Sequence, residues 1–256
     1  MAHWIFLRGL VRESRHWGCF VDDFVRANPD AHEVALDLPG NGQLHHQTSP
    51  TTVHGMVEAY RAQLLARGLR PPYRILAVSM GAMVAAEWSH LYPHEVKRQV
   101  LINTSMRPFS AFYQRLRPSN YITLLRLLAT QATALEWERA ILQFTTHQAH
   151  PDVLPGWQSL RAQCPVSRSN ALRQLWAAAR YRAPLRPPAA ATLVLVSTQD
   201  ALVSAACSHA LAQAWGAPVL VHPTAGHDLT LDDGPWVATH VAEWLRNSND
   251  IVLSRY

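Results

Sequence analysis

The first hundred residues alternate between short apolar runs and longer stretches in which apolar positions have helical spacing. The apolar runs occupy residues 3–8, 33–38, 73–78 and 97–103. Between them, apolar residues recur at intervals of three and four, as they do along one face of an α-helix. This alternation predicts a parallel sheet with helices on both faces, and the continuous apolar runs are typical of strands buried on both sides.

The alternation stops after residue 104 and returns near residue 189. The segment between is mostly helical by its apolar spacing and is interrupted by prolines, and two more strands and two more helices are predicted after it. We therefore predict an α/β core made of residues 1–104 and 189–256, with about six mostly parallel strands. Residues 105–188 are predicted to form a helical lid.

Composition narrows the class of protein without changing this picture. The 256 residues suit one α/β domain with an insertion, and 48% hydrophobic and 16% charged residues are ordinary for a globular chain. Cys19, Cys164 and Cys207 have no paired spacing, so neither a disulfide framework nor a zinc site is predicted. The N-terminus lacks a signal peptide and no apolar run reaches the roughly 20 residues of a bilayer span, so a cytoplasmic protein is expected.

Positive charge is concentrated in the predicted lid. Residues 105–188 contain eleven arginines and three acidic residues, whereas the rest of the chain has 12 basic and 15 acidic residues. A basic surface of this kind could dock an acidic partner, although a solvated helix surface is the ordinary alternative. No nucleic-acid recognition motif accompanies the charge. The candidate arginines are Arg115, Arg117, Arg126, Arg139, Arg161, Arg168, Arg173 and Arg180.

The most informative stretch surrounds Ser79, in the pentad Ala77-Val78-Ser79-Met80-Gly81. A strand that turns directly into a helix through small-x-Ser-x-Gly is typical of a nucleophile elbow. The small residues on either side of the serine let the strand and the helix pass closely around a strained turn. The Met80 N–H would then lie at a helix N-terminus, where it could stabilise an oxyanion. Because such pentads also occur by chance, other residues must support this interpretation.

A nucleophilic serine needs a base, and the base needs an acid that orients it. Asp200 follows one predicted strand and His227 follows the next, in the order Ser…Asp…His. Taken singly, an Asp after a strand often caps a turn, and most histidines are surface or core residues. Together, three residue types in this order at three strand ends favour a triad of Ser79, Asp200 and His227. Asp228 is a poorer acid because it adjoins His227 in sequence, and Asn103 is not an acid.

The loop after the first strand should supply the second oxyanion donor. The backbone N–H of Leu10 is the candidate, since Gly9 before it allows a close approach of the chain. Arg8 would serve as a hydrogen-bonding strut between neighbouring loops.

With these motifs, the sequence resembles the α/β-hydrolase family over nearly its whole length. It is most similar to the small carboxylesterases that cleave pimeloyl-acyl-carrier-protein methyl ester in biotin synthesis, which have a four-helix lid. Arg8 stands where those relatives have His, and Ala77 where they have Gly. Because the given sequence begins with the strand that leads to Gly9, we expect a sheet without their N-terminal antiparallel hairpin. The motifs that carry the resemblance are Leu7–Leu10, Asp37–Gly42, Ala77–Gly81, Asp200 and Ala225–His227.

The resemblance implies a serine carboxylesterase that acts on a small acyl ester, with an acidic acyl carrier protein as the partner of the basic lid. No metal or organic cofactor is needed for this chemistry. A monomer is expected, with neither nucleic acid nor membrane as a partner. A thioesterase or a carbon–carbon bond hydrolase would use the same triad. The alternative from another functional class is a ligand receptor or scaffold with little turnover.

Overall fold

The computed structural model describes residues 2–130, 132–148 and 151–253. Within these residues, six parallel strands form one sheet in the order β2-β1-β3-β4-β5-β6. This confirms the predicted α/β architecture and its six-stranded sheet. The strands are β1 (Ala2–Leu7), β2 (Ala31–Leu36), β3 (Tyr73–Val78), β4 (Val96–Ile102), β5 (Ala191–Ser197) and β6 (Val219–His222).

Both faces of the sheet are buried, because successive side chains of a strand point to opposite sides. In β1, Ile5 and Leu7 belong to one apolar cluster, whereas Trp4 and Phe6 belong to the cluster on the other face. A strand that is buried on both faces needs apolar residues at consecutive positions, which explains the continuous apolar runs in the sequence.

Helices cover both faces of the sheet. The helix predicted before β3 begins at a cap, since Thr52 Oγ1 accepts a hydrogen bond from the Gly55 N–H at 3.0 Å. Between β1 and the first α-helix the chain forms a 3-10 turn, Ser14–Trp17, which ends at Gly18 with φ +53°. The covering helices are α1 (Phe20–Ala27), α2 (Val53–Ala66), α3 (Met80–Leu91), α9 (Ala205–Trp215), α10 (Leu229–Asp232) and α11 (Gly234–Leu253).

Between β4 and β5 the chain forms a series of helices, and residues 105–188 are called the helical insertion below. The predicted boundary between a core and a lid stays a prediction. None of the helices in the described residues is both long and apolar enough to cross a bilayer. The helices of the insertion are α4 (Phe112–Arg115), α5 (Tyr121–Ala129), α6 (Ala134–Thr145), α7 (Val153–Gln163) and α8 (Arg168–Arg180).

Candidate active site

Ser79 lies in a strained turn between the end of β3 and the start of α3. Its φ is +58°, a left-handed conformation that is uncommon for a residue with a side chain. Two neighbours hold it there: its N–H donates to the Ile102 carbonyl at 2.9 Å, and its own carbonyl accepts from Thr104 Oγ1 at 3.0 Å. A non-glycine residue held in this region by its surroundings is typical of functional sites.

Small residues make the turn possible, as the pentad predicts. A Cβ on Gly81 would lie 2.3 Å from the Leu7 carbonyl oxygen, so α3 passes the end of β1 at a distance that only glycine allows. Ala77 is fully buried and pairs with Leu7 in the sheet. On the other side, a Cβ on Gly9 would lie 3.2 Å from the Cβ of Ser79, which places the loop after β1 beside the serine.

His227 and Asp200 meet at the carboxyl ends of β5 and β6. The distance from His227 Nδ1 to Asp200 Oδ2 is 2.7 Å, and both side chains are buried. The other carboxylate oxygen, Oδ1, accepts hydrogen bonds from the N–H groups of Leu202 and Val203, each at 2.8 Å. Because Nδ1 is engaged by the carboxylate, Nε2 is the ring nitrogen left for a hydroxyl or a substrate. His227 and Ser79 line the same cavity.

Asn103 holds the loop that carries His227. Its side-chain Nδ2 donates to the carbonyls of Gly226 at 3.2 Å and His227 at 2.9 Å, and its Oδ1 accepts from the Ser197 N–H at 2.8 Å. The sequence showed only that this strand end carries no acid. Its own φ of +47°, which Asn tolerates better than most residues, could not be read from the sequence.

Arg8 and Asp228 form a buried ion pair that joins the loop after β1 to the loop that carries His227. Arg8 Nη1 donates to Asp228 Oδ1 at 3.1 Å and to Thr230 Oγ1 at 3.3 Å, and the guanidinium lies 4.7 Å from the centre of the Trp17 ring. Burial by itself would raise the pKa of Asp228. The charge and hydrogen bonds of Arg8 outweigh that effect and hold the pKa below its usual range. Asp228 is therefore occupied by Arg8, while Asp200 is the carboxylate at His227.

The two predicted oxyanion donors lie beside Ser79. Leu10 and Met80 both line the cavity that contains the serine. Met80 is the first residue of α3, so its N–H has no carbonyl of the same helix to bind and lies at the positive end of the helix dipole. Their role as an oxyanion hole stays a prediction.

The cavity beside Ser79 encloses about 190 Å³ and has mostly apolar walls. The core, including Met83, and the helical insertion both contribute residues to its walls. This arrangement suits an acyl chain or another apolar group next to the serine. The apolar residues that the insertion contributes include Leu116, Leu124, Leu128, Trp137, Ile141, Phe144 and Leu175.

A buried charge cluster around Arg12, which also lines the cavity, joins the core to the insertion. Glu138 of α6 is paired with Arg12 of the core and with Arg161 of α7, and Arg12 lies 4.0 Å from the centre of the Trp157 ring. His16 Nε2 lies 3.0 Å from Arg12 Nη1. Burial, and next the charge of Arg12, hold the pKa of His16 well below its usual value, so this histidine is neutral.

The eight candidate arginines of the insertion are divided between the interior and the surface. Arg161 is engaged by Glu138, Arg115 donates to the carbonyls of Ala178 and Ala179, and Arg173 donates to the Ser49 carbonyl at 2.6 Å. Their use in binding a partner stays a prediction. Arg117 is also partly buried, while the exposed members are Arg126, Arg139, Arg168 and Arg180.

A metal site would need several ligating side chains close together. Among the described residues, no group of three or more His, Cys, Asp or Glu side chains is arranged to hold a metal ion.

Comparison with known proteins gives a family and a set of similar folds. The model of the alpha/beta hydrolase family matches residues 4–240. No match was found among curated proteins.

The chain is similar to many solved structures. A thermophilic esterase from Thermogutta terrifontis is 19% identical with a TM-score of 0.77, over 96% of this chain and 90% of that one. A candidate non-heme bromoperoxidase from Mycobacterium tuberculosis H37Rv is 22% identical with a TM-score of 0.77, over 96% and 92% of the two chains. A meta-cleavage product hydrolase from Pseudomonas fluorescens IP01 is 14% identical with a TM-score of 0.76, over 97% and 92%. At such identities the likeness establishes the fold alone.

Proposed function

The chain belongs to the alpha/beta hydrolase family, and from that premise we propose that it is a serine hydrolase of carboxylic esters with an apolar acyl group. One observation carries the proposal. Ser79, held at φ +58° at the end of β3, shares an apolar cavity with His227, whose Nδ1 lies 2.7 Å from the buried Asp200 carboxylate. A serine, a base and an orienting acid in this arrangement are the parts of nucleophilic acyl transfer.

In the proposed reaction, His227 Nε2 takes the hydroxyl proton of Ser79 as Oγ attacks the ester carbonyl carbon. The N–H groups of Leu10 and Met80 stabilise the oxyanion of the tetrahedral intermediate. The intermediate collapses when the C–O bond to the alcohol breaks and His227 gives the proton to the departing oxygen. A water molecule then attacks the acyl-enzyme by the same steps, which releases the carboxylic acid and restores Ser79.

The cavity decides which acyl groups fit. Because its walls are mostly apolar, we expect activity on 4-nitrophenyl esters to rise from acetate to medium chains. A flat dependence on chain length would contradict an acyl-binding role for this cavity.

The test of the serine itself uses covalent labelling and kinetics. Ser79→Ala is expected to lose labelling by a fluorophosphonate and to reduce kcat by a factor of about 10⁴ or more. Ser105→Ala removes another serine from the same cavity wall and should keep the labelling. Equal labelling of Ser79→Ala and the unmodified protein would refute the proposal and turn attention to a receptor or scaffold.

A more specific substrate would be a methyl ester carried on an acyl carrier protein, as in biotin synthesis. To bind such a carrier, the enzyme must have arginines that are exposed on its surface. The exposed Arg126, Arg139 and Arg180 support this possibility. Rates on the carrier-bound ester and the free methyl ester, at low and high salt, test it. A preference for the carrier-bound ester that is lost at high salt is expected, whereas equal rates would leave a hydrolase of small esters.

Parallel assays on a thioester and on a carbon–carbon cleavage substrate address the other reactions of the same triad.

A further inference from the structure

Helix α5 is apolar on every side, although part of it faces water. Its nine residues contain a single charged side chain, Arg126. Leu127 is buried, and Leu124 lines the cavity, so the inner side has an ordinary structural role. On the outer side, Ile122 is 81% exposed and Leu125 is 65% exposed. A helix that is hydrophobic all round is normally covered on all sides.

The neighbouring helices expose large apolar side chains as well. Phe112 and Tyr113 of α4 are both exposed, and their rings pack edge to face. On α8, Leu172 and Trp176 are exposed, and the guanidinium of Arg180 lies 5.0 Å from the centre of the Trp176 ring. Single exposed apolar residues are common on proteins, but a group of this size marks an interaction surface.

Hydrogen bonds between helix ends join these residues into one surface. Arg168 at the start of α8 donates to the Thr130 carbonyl just after α5. Arg115 at the end of α4 donates to the carbonyls of Ala178 and Ala179 near the end of α8. The end of α5 is therefore linked to the start of α8, and the end of α4 is linked to the last turn of α8. The exposed residues of the three helices, called the apolar rim, are Phe112, Tyr113, Ile122, Leu125, Leu172 and Trp176.

The helices of this rim also line the cavity that contains Ser79. Leu128 of α5 and Ala171 of α8 both line the cavity. Leu175 of α8 lines it too and is 37% exposed, so the apolar lining continues to the outer surface. An acyl chain held against the rim would therefore reach the cavity without crossing water.

The helices of the rim carry only positive charge, and the acidic side chain that interacts with Arg126 is Glu136, at the start of α6. The sequence has no Asp or Glu between Glu95 and Glu136, and none between Asp152 and Asp200. Helices α4, α5 and α8 lie in these two intervals and carry arginines alone as charged residues. Arginine beside Trp, Tyr and aliphatic side chains matches the boundary of a lipid layer, where phosphate groups lie next to acyl chains.

We propose that the apolar rim binds the surface of an anionic lipid layer, with α5 lying flat on the surface. An acidic protein partner would pair with the arginines, but its acidic surface would not bury the outward side chains of Ile122 and Leu125. The acyl chains of a lipid layer would bury them. This proposal departs from the expectation that no membrane is a partner. That expectation rested on the lack of an apolar run long enough to span a bilayer, whereas α5, with nine residues, would lie on the surface without spanning it. Binding of this kind does not depend on the proposed esterase activity.

The experiment is cosedimentation of the Ser79→Ala protein with vesicles, so that no hydrolysis disturbs the lipid. Vesicles of phosphatidylcholine alone are compared with vesicles of phosphatidylcholine mixed with phosphatidylglycerol. We expect binding to the anionic vesicles, weakened at least about tenfold by the pair Ile122→Gln and Leu125→Gln. Arg126→Gln should weaken binding to the anionic vesicles and reduce its dependence on salt.

The matched control is Leu65→Gln, which removes a similarly exposed leucine from α2 and should bind vesicles as strongly as the Ser79→Ala parent. Circular dichroism of the double variant checks that α5 remains helical. No binding of the parent to either vesicle, or equal binding of the double variant, would overturn the proposal. Binding to an acidic acyl carrier protein but not to vesicles would assign the rim to a protein partner and would likewise overturn it.

Discussion

The sheet and the helical insertion are held in place by different interactions. The sheet is buried between two large apolar clusters, one on each face. The insertion adds Met106, Ala177 and Tyr181 to one of these clusters and shares a smaller apolar cluster with the core around Val11 and Trp157. It is also fastened by buried polar contacts, among them the Arg12–Glu138 pair and the hydrogen bonds of Gln174.

This difference has consequences for stability and for function. Apolar burial tolerates small shifts, whereas a buried ion or amide is costly as soon as one partner is lost. The sheet therefore provides a rigid edge on which Ser79, Asp200 and His227 are placed. The insertion relies more on polar contacts that need both partners, so we expect it to separate from the core before the sheet unfolds.

The largest effect is expected where backbone passes backbone inside the core. In Gly81→Ala, the new Cβ would lie 2.3 Å from the Leu7 carbonyl oxygen, and neither chain has room to move. We expect a loss of at least about 5 kcal/mol in the free energy of unfolding, measured by urea denaturation. Gly156→Ala in α7 of the insertion, where the Cβ meets nothing within 4 Å, should be neutral or slightly stabilising. Similar stabilities of the two variants would disprove the tight crossing of α3 and β1.

The next effect concerns the buried charges that fasten the insertion. Glu138→Gln leaves Arg12 and Arg161 buried without their carboxylate, at a cost of about 3–5 kcal/mol. Limited proteolysis should then cut the insertion while the sheet stays protected. Glu136→Gln on the same helix is the control, because glutamine also completes the cap that Glu136 makes with Thr133. Unchanged resistance to proteolysis in Glu138→Gln would show that apolar contacts suffice to hold the insertion.

A smaller loss is expected from Gln174, which joins α8 to two core loops. Its Oε1 accepts from the Val11 N–H at 2.9 Å, and its Nε2 donates to Asn41 Oδ1 at 2.7 Å. Gln174→Ala leaves these buried groups without partners and should cost about 2 kcal/mol, measured by thermal or urea unfolding. Gln158→Ala, at an exposed position of α7, should stay within about 0.5 kcal/mol of the unmodified protein. If Gln174→Ala lost as little unfolding free energy as the control, water would have replaced the hydrogen bonds of the amide.

The smallest effect is a dependence of stability on pH through His16. Burial and the neighbouring arginines keep the pKa of His16 well below its usual 6.5, so the unfolded chain binds a proton more readily than the folded one. Stability should therefore fall as the pH drops below that value, by up to about 1.4 kcal/mol per pH unit. His16→Gln should flatten the curve between about pH 7 and pH 5, whereas the exposed His46→Gln should leave it unchanged. If stability changed with pH as steeply in His16→Gln as in the unmodified protein, other titratable groups would be responsible for the dependence.

Several features of this protein follow from local patterns and could be predicted from its sequence. Parallel strands buried on both faces must be apolar throughout, so the strands and their order of alternation with helices could be predicted. A turn as tight as that at Ser79 needs small neighbours, so Ala77 and Gly81 predict its position. The structure gives the reason, because a Cβ on Gly81 would meet the backbone of β1. The strand ends likewise pointed to Asp200 and His227, because carboxyl ends of parallel strands share one edge of the sheet.

The pairing of charged residues and the exposure of surfaces depend instead on how distant parts of the chain pack together. Arg8 with Asp228, and Arg12 with Glu138, are far apart in sequence, and no local spacing joins them. The same holds for the arginines of the insertion: their number was visible in the sequence, but not that Arg161 is buried against Glu138. The outward side of α5 was equally hidden, because its apolar residues follow the pattern of a buried helix. Periodicity reports that a side chain is apolar, whereas its exposure depends on which other helices pack against it.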